Sequence, residues 1–166
     1  RNLLEALESD YPDDARSLFA IALLEWREGN GAVAVTKLDK LFTIDAFHDR
    51  GTLLLTEILL QANDASAFDP LRKAIEATNS GLLRYEYARY LLGKKKLAEA
   101  KEQFDVLVAG PTVIVDHLIG AAVLDIELSD SASALLHLDR ALASGQRVSD
   151  AQFFKALALI QLEDLS

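Results

Sequence analysis

Apolar residues recur three and four apart along most of this chain, with polar and charged residues filling the positions between them. Leu18, Ile21 and Ala22 form one such stripe, and Ala34, Leu38 and Leu41 form the next. That spacing collects apolar side chains on one face of a helix, so it predicts amphipathic helices. Turn-forming residues punctuate the stripes: Pro12 with Asp13 and Asp14, then Gly29-Asn30-Gly31, Asn63 to Ser66, Asn79-Ser80-Gly81 and Gly110-Pro111. Helices are expected over 2–9, 15–26 and from Ala32, then over 53–61 and 70–77. Asp13 or Asp14 is placed to cap the second of these, and Pro70 fits the first turn of the last. Ser149 and Asp150 are expected to cap a final helix carrying Phe153, Ala156 and Leu159 to about Glu163. Thr112 to Val115 is β-branched and has the composition of a strand, but it follows a Gly-Pro turn and the helical period resumes at once.

The stripes repeat. Ala88 stands 34 residues before Ala122 (122 − 88 = 34), and Ala100 the same distance before Ala134 (134 − 100 = 34). Phe104 then falls on Leu138, Leu107 on Ala141, and Ala122 on Ala156. Inside each copy the two alanines are 12 apart, as with Ala22 and Ala34 (34 − 22 = 12). Two helices that cross closely need a small residue on each at the crossing, which accounts for this inner spacing. The frame divides the chain into repeats at 15–48, 49–80, 81–114 and 115–148. Residues 1–12 read as the second helix of a repeat cut at its start, and 149–166 as the first helix of one cut at its end. The copy at 49–80 is the most divergent, with Ala67 only 33 from Ala34 and from Ala100 (67 − 34 = 33; 100 − 67 = 33).

A fixed period of this length, built of helix–turn–helix units, resembles the tetratricopeptide repeat. That family favours a small residue midway along its first helix, an alanine early in its second, then an aromatic or leucine, and a proline near the unit's end. Ala22, Ala34 and Leu38 take those places in one copy; Ala88, Ala100, Phe104 and Pro111 take them in another. Ala122, Ala134 and Leu138 serve a third, and Pro12 closes the partial one. Glu25, Asp125 and Lys155 depart from the pattern by standing where the family has apolar residues. The resemblance implies an all-α solenoid, a single array over 1–166 with about four full repeats and a partial one at each end. More loosely, 83–108 with 141–154 resembles a proteobacterial outer-membrane lipoprotein family that holds periplasmic proteases and cell-wall hydrolases together. That implies a periplasmic, outer-membrane-attached setting, with a cytoplasmic one as the alternative.

Composition narrows the function. The chain has 166 residues, 51% hydrophobic, which is enough to build a core without a metal or disulfide. It has no cysteine, so thiolate metal sites, disulfides and a cysteine nucleophile are excluded, while the compartment stays open. A formal charge of −9 argues against nucleic acid or an anionic membrane as partner. No apolar run reaches the length of a membrane span. The chain begins at Arg1 with no leader before its first helix, and it reads as a fragment of a longer array.

Chemistry is sparse. His48, His117 and His137 have no metal-ligand spacing, and neither Asp116 beside His117 nor Asp139 near His137 shares a helix face with its histidine. Gly29 and Gly31 belong to a helix–helix turn with no strand before it, which is not a phosphate loop. Lys94-Lys95-Lys96 reads as a solvated corner. No catalytic residue, metal or cofactor is expected. By the resemblance, first helices line the concave face, which places Phe19, Leu23 and Trp26 there in one copy. Later copies supply Tyr85 and Arg89, Ile119 and Val123, then Phe153 and Leu157. The lysines and asparagine with which some members grip a terminal carboxylate are replaced here by apolar and aromatic residues. The expected function is a non-enzymatic adaptor that takes a protein or peptide on an apolar groove. Each covered side chain would contribute about 1–2 kcal/mol before ordering costs. Two alternatives stand beside it: a homo-oligomerisation module, and a docking or regulatory module of a larger enzyme.

Overall fold

The computed structural model describes Ala6, residues 9–110 and residues 114–164. Most of the helix expected over 2–9, and Thr112 with Val113, lie outside that set. The described residues contain helices and turns and no strand.

Two compact units divide the chain, 1–83 and 84–166. In the first, α1 (Ala15–Arg27), α2 (Gly31–Ile44), α3 (Asp49–Gln61) and α4 (Asp69–Thr78) follow one another as hairpins. α5 (Gly81–Gly93) begins at the boundary, and its residues from Arg84 on belong to the second unit. There follow α6 (Leu97–Val108), α7 (Val115–Glu127), α8 (Ser131–Ala143) and α9 (Val148–Asp164). α1 packs on α2 and also on α3, and α7 on α8 and also on α9. Within each unit, α1 and α7 thus touch both their own partner and the next first helix, which is how stacked repeats build a core from neighbours alone.

The helices start where local chemistry lets them. Asp14 caps α1 by accepting from the Ser17 backbone N–H at 2.9 Å, and that bond holds its carboxyl below the usual range. His48 caps α3, accepting from Gly51 N–H on Nδ1 at 3.0 Å, so the helix opens at Asp49 rather than Leu53. α4 runs one residue past the expected span at each end, with Pro70 in its first turn as anticipated. Ser149 and Asp150 do not cap the last helix. It already starts at Val148, and both lie within its first turn.

The turn inside each hairpin is the same object four times. Gly29, Asn63, Lys95 and Ser129 all have positive φ, of 86°, 55°, 57° and 60°. At each, the residue's own N–H bonds back to Trp26, Leu60, Leu92 or Ile126, and the next N–H reaches one carbonyl further, as Asn30 does to Glu25 at 2.8 Å. This pair of bonds is a Schellman cap, which satisfies carbonyls a helix end would leave orphaned.

Ala22, Ala34, Ala88, Ala100, Ala122 and Ala134 are all fully buried, as the period requires. In the divergent copy the small place is filled by buried Thr56, whose hydroxyl donates to the Thr52 carbonyl at 2.9 Å, and by Ala67. The register of α9 differs from expectation. Ala156, Phe153 and Leu159 are exposed, while Ala151 and Ala158 enter the core against α7 and α8. Ala156 stands in the register that in other copies meets the following second helix, and no described helix covers it here.

Candidate functional site

In the second unit, α5 and α7 open two successive hairpins and α9 follows in the same place, and a groove of about 450 Å³ opens along them. Tyr85 and Arg89 come from α5, Ile119 and Val123 from α7, and Phe154 from α9. The floor exists because of a glycine. A Cβ on Gly120 would lie 2.6 Å from Cε1 of Phe104 and 3.2 Å from Cε2 of Tyr85, so the two rings occupy the space of its missing side chain. Phe104 and Tyr85 meet edge to face, with centroids 6.2 Å apart.

Four charged residues line the groove, and they arrive in pairs. Arg89 donates to both carboxylate oxygens of Glu86, at 3.0 and 3.2 Å, and its guanidinium lies 5.8 Å from the Tyr85 ring centroid. Arg147, just before α9, donates from Nε to Asp150 at 2.8 Å and from Nη1 to Asp116. Its backbone is left-handed, φ 47°, so two carboxylates hold a long cation at an unfavourable position beside the groove. Burial raises the Tyr85 phenol above its ordinary range, opposed by Arg89. Burial also pulls the His117 imidazole below its ordinary value, opposed by Asp116; that ring lies 5.0 Å from Tyr85. An apolar and aromatic floor with its lining charges paired off suits binding through shape and area.

The residues expected on the concave face are distributed as follows. Tyr85, Arg89, Ile119 and Val123 line this one groove, though Ile119 is only 6% exposed and lends most of its surface to the core. Phe153 is 60% exposed, its ring packed on Phe154 at 5.2 Å, and Leu157 is also exposed. Phe19, Leu23 and Trp26 belong to the first unit, half-buried against its core. Phe19 stacks near His48 at 5.5 Å. Trp26 donates to Gln61 Oε1 at 3.2 Å and walls a separate groove of about 710 Å³. Sequence reasoning missed Phe154, Asp116 and Arg147 as lining residues. The period held a signal for the first, since Phe154 stands 34 after Gly120 (154 − 120 = 34). The pairing of Asp116 with Arg147 joins a helix start to a later turn, and no spacing rule announces it.

The other singled-out residues have structural partners. His137 meets Asp125, Lys155 meets Asp139, Lys95 meets Glu127, and Lys96 meets Glu99. Among the described residues no three histidines, aspartates or glutamates stand where they would hold a metal ion. No described helix is long and apolar enough to cross a membrane.

Solved structures share this fold. PilW, described as a widely conserved type IV pilus biogenesis factor, superposes with a TM-score of 0.62 at 17% identity, over 90% of this chain and 78% of its own. A tetratricopeptide repeat protein from Parabacteroides merdae ATCC 43184 superposes with a TM-score of 0.66 at 16% identity, over 95% of this chain. This chain spans 62% of that protein's length. No protein-family model matches the chain, and no curated protein matches it. The architecture is therefore an all-α helical-repeat solenoid of the tetratricopeptide type.

Proposed function

We infer that this chain is a non-enzymatic protein-interaction scaffold that receives a segment of another protein along its first helices. The observation that carries the reading is the second-unit groove, where three successive first helices contribute Tyr85, Val123 and Phe154 to one trench. Such a trench takes an extended or helical segment by burying apolar side chains, with about 1–2 kcal/mol from each before ordering costs. Phe19 and Leu23 extend the same use to the first unit, and Phe153 and Leu157 to the end of the second. The two units are read as parts of one repeat array. A neighbour described as a pilus biogenesis factor supports an envelope setting, in keeping with the looser resemblance to outer-membrane lipoproteins.

A photo-reactive residue at Val123, irradiated in the source cell, tests this. Cross-linking to a discrete partner, lost when Tyr85→Ala and Arg89→Ala are added, is the expected result. Cross-links that persist in that double variant would remove the groove from the account.

Self-association is a second reading, favoured by Phe153, Leu157, Ile160 and Leu162 exposed together on α9. Sedimentation over a concentration series separates the two: a monomer throughout rules self-association out.

A further inference from the structure

The larger groove lies in the first unit, on a surface the scaffold reading above does not need. Three stretches of chain wall it: Trp26, Arg27 and Gly29 at the end of α1, Gly31, Ala32 and Val35 at the start of α2, and Ile58 to Ala62 at the end of α3. Its walls are apolar or small apart from Arg27 and Gln61, and its one aromatic wall is held in place by the hydrogen bond from Trp26 to Gln61. Gly31 leaves real space, since nothing lies within 4 Å of where its Cβ would be. A volume of about 710 Å³ is ample for bulky side chains from a short segment.

The charge around it decides what kind of segment. Residues 1–83 carry 8 basic and 14 acidic residues, a formal charge of −6 (8 − 14 = −6). Carboxylates flank two of the three walls in sequence: Glu25 and Glu28 on either side of Trp26 and Arg27, and Asp64 just after Ala62. Glu25 also accepts from Asn30 at 2.8 Å, and Asp64 from the Ser66 N–H and hydroxyl. Arg27 is the one charged residue in the lining itself. Glu28 is exposed, and its carboxylate has no hydrogen bond or ion pair among the described residues.

We propose that this groove docks a basic amphipathic segment of another protein, its bulky apolar side chain lying against Trp26 and its lysines or arginines facing Glu28 foremost, with Glu25 and Asp64 beside it. Apolar contact supplies the anchor, and the acidic border selects a cationic partner and speeds its approach. An acidic segment meets repulsion on the same surface.

Trp26 is the only tryptophan in the chain, so its fluorescence reads the groove directly. The probe is a short synthetic peptide of leucine, phenylalanine and lysine, set against one with every lysine replaced by glutamate. The lysine peptide is expected to shift Trp26 emission saturably, with affinity falling about tenfold or more as salt screens the border. The glutamate peptide is expected to leave the emission unchanged. Gly31→Phe starts from open space at its Cβ, and it should abolish the shift while thermal stability is retained. Glu28→Lys should weaken it. A shift that survives Gly31→Phe, equal shifts from both peptides, or none from the lysine peptide overturns the proposal. Tyr85→Ala with Arg89→Ala, in the other unit, leaves this signal intact, so this docking site and the concave groove stand or fall separately.

Discussion

Nδ1 of His137 lies 2.9 Å from Oδ2 of Asp125, and the aspartate is 2% exposed. The two residues are 12 apart (137 − 125 = 12), which is the offset of the alanines Ala122 and Ala134 at the α7–α8 crossing. The bond ties α7 to α8 beside that crossing. Lys101 Nζ, from α6, stands 4.0 Å from the other carboxylate oxygen and also pairs with Asp105.

Removing one partner exposes the cost of burying the other. His137→Ala is expected to destabilise the protein by about 2–3 kcal/mol, because the Asp125 carboxylate stays buried with a distant lysine as its remaining cation. Replacing both residues by leucine should recover most of that loss. Urea unfolding of the two variants checks it; a single substitution costing as little as the double would show that the pair contributes nothing.

The repeated Schellman caps separate backbone strain from side-chain contacts. Ser129 adopts φ 60° where the first repeat has Gly29, and its hydroxyl receives only a long 3.4 Å bond from Gln161. Ser129→Gly is expected to raise stability by about 0.5–1 kcal/mol, since glycine carries no Cβ penalty there. Gly29→Ala should lower it by about 1 kcal/mol for the converse reason. Opposite shifts in thermal midpoint are the readout, and shifts of like sign would refute the cap argument.

Two glycines should respond oppositely to alanine. At Gly120 the new methyl would meet the Phe104 ring at 2.6 Å, and that ring is 1% exposed and has no room to retreat. A loss of about 1–3 kcal/mol is expected. Gly31 faces open space within a helix, so Gly31→Ala should be neutral or gain up to about 1 kcal/mol. Equal effects at the two sites, measured by calorimetry, would contradict the close approach that shapes the groove floor.

Acid should act through His117. Its imidazole is buried and its proton affinity is held below the ordinary value by that burial, so the unfolded chain binds a proton that the folded chain resists. The sign follows: this contribution is full above the unfolded value near 6.5 and is lost as pH falls from there toward the lower folded value. His117→Leu places at this point the residue found at Leu83, one repeat earlier. It should flatten the decline of stability between neutral and mildly acidic pH. An unchanged slope in urea midpoints across that range would exclude His117 as its source.

Local rules made the hairpins legible. Ala22, Ala34, Ala100 and Ala134 mark helix crossings because close approach limits side-chain size whatever surrounds it. The caps at Asp14 and Gly29 depend on bonds spanning three to five residues, and they too are visible in the sequence. Asp125 was harder. Beside the family's apolar preference it reads as a weak fit, and only the neighbouring helix supplies the His137 ring that makes its burial tolerable. Five of the nine residues expected on the concave face, Phe19, Leu23, Trp26, Ile119 and Val123, lie in or against a core. Helical spacing alone does not distinguish a side chain facing a partner from one facing its own unit.

The sequence by itself determined a helical-repeat architecture and its period, and it placed both ends of α1 and α4 and the start of α2 within one residue, because those follow from backbone hydrogen bonding and side-chain size within a few residues. Tertiary structure decided which face of α9 is covered, where Arg147 finds its two carboxylates, and that Trp26 and Tyr85 open onto different grooves. These outcomes depend on residues some 30 positions apart arriving side by side, as Arg147 and Asp116 do (147 − 116 = 31). Such contacts are set by how helices stack, and a stripe of apolar residues along one helix carries no record of its neighbour.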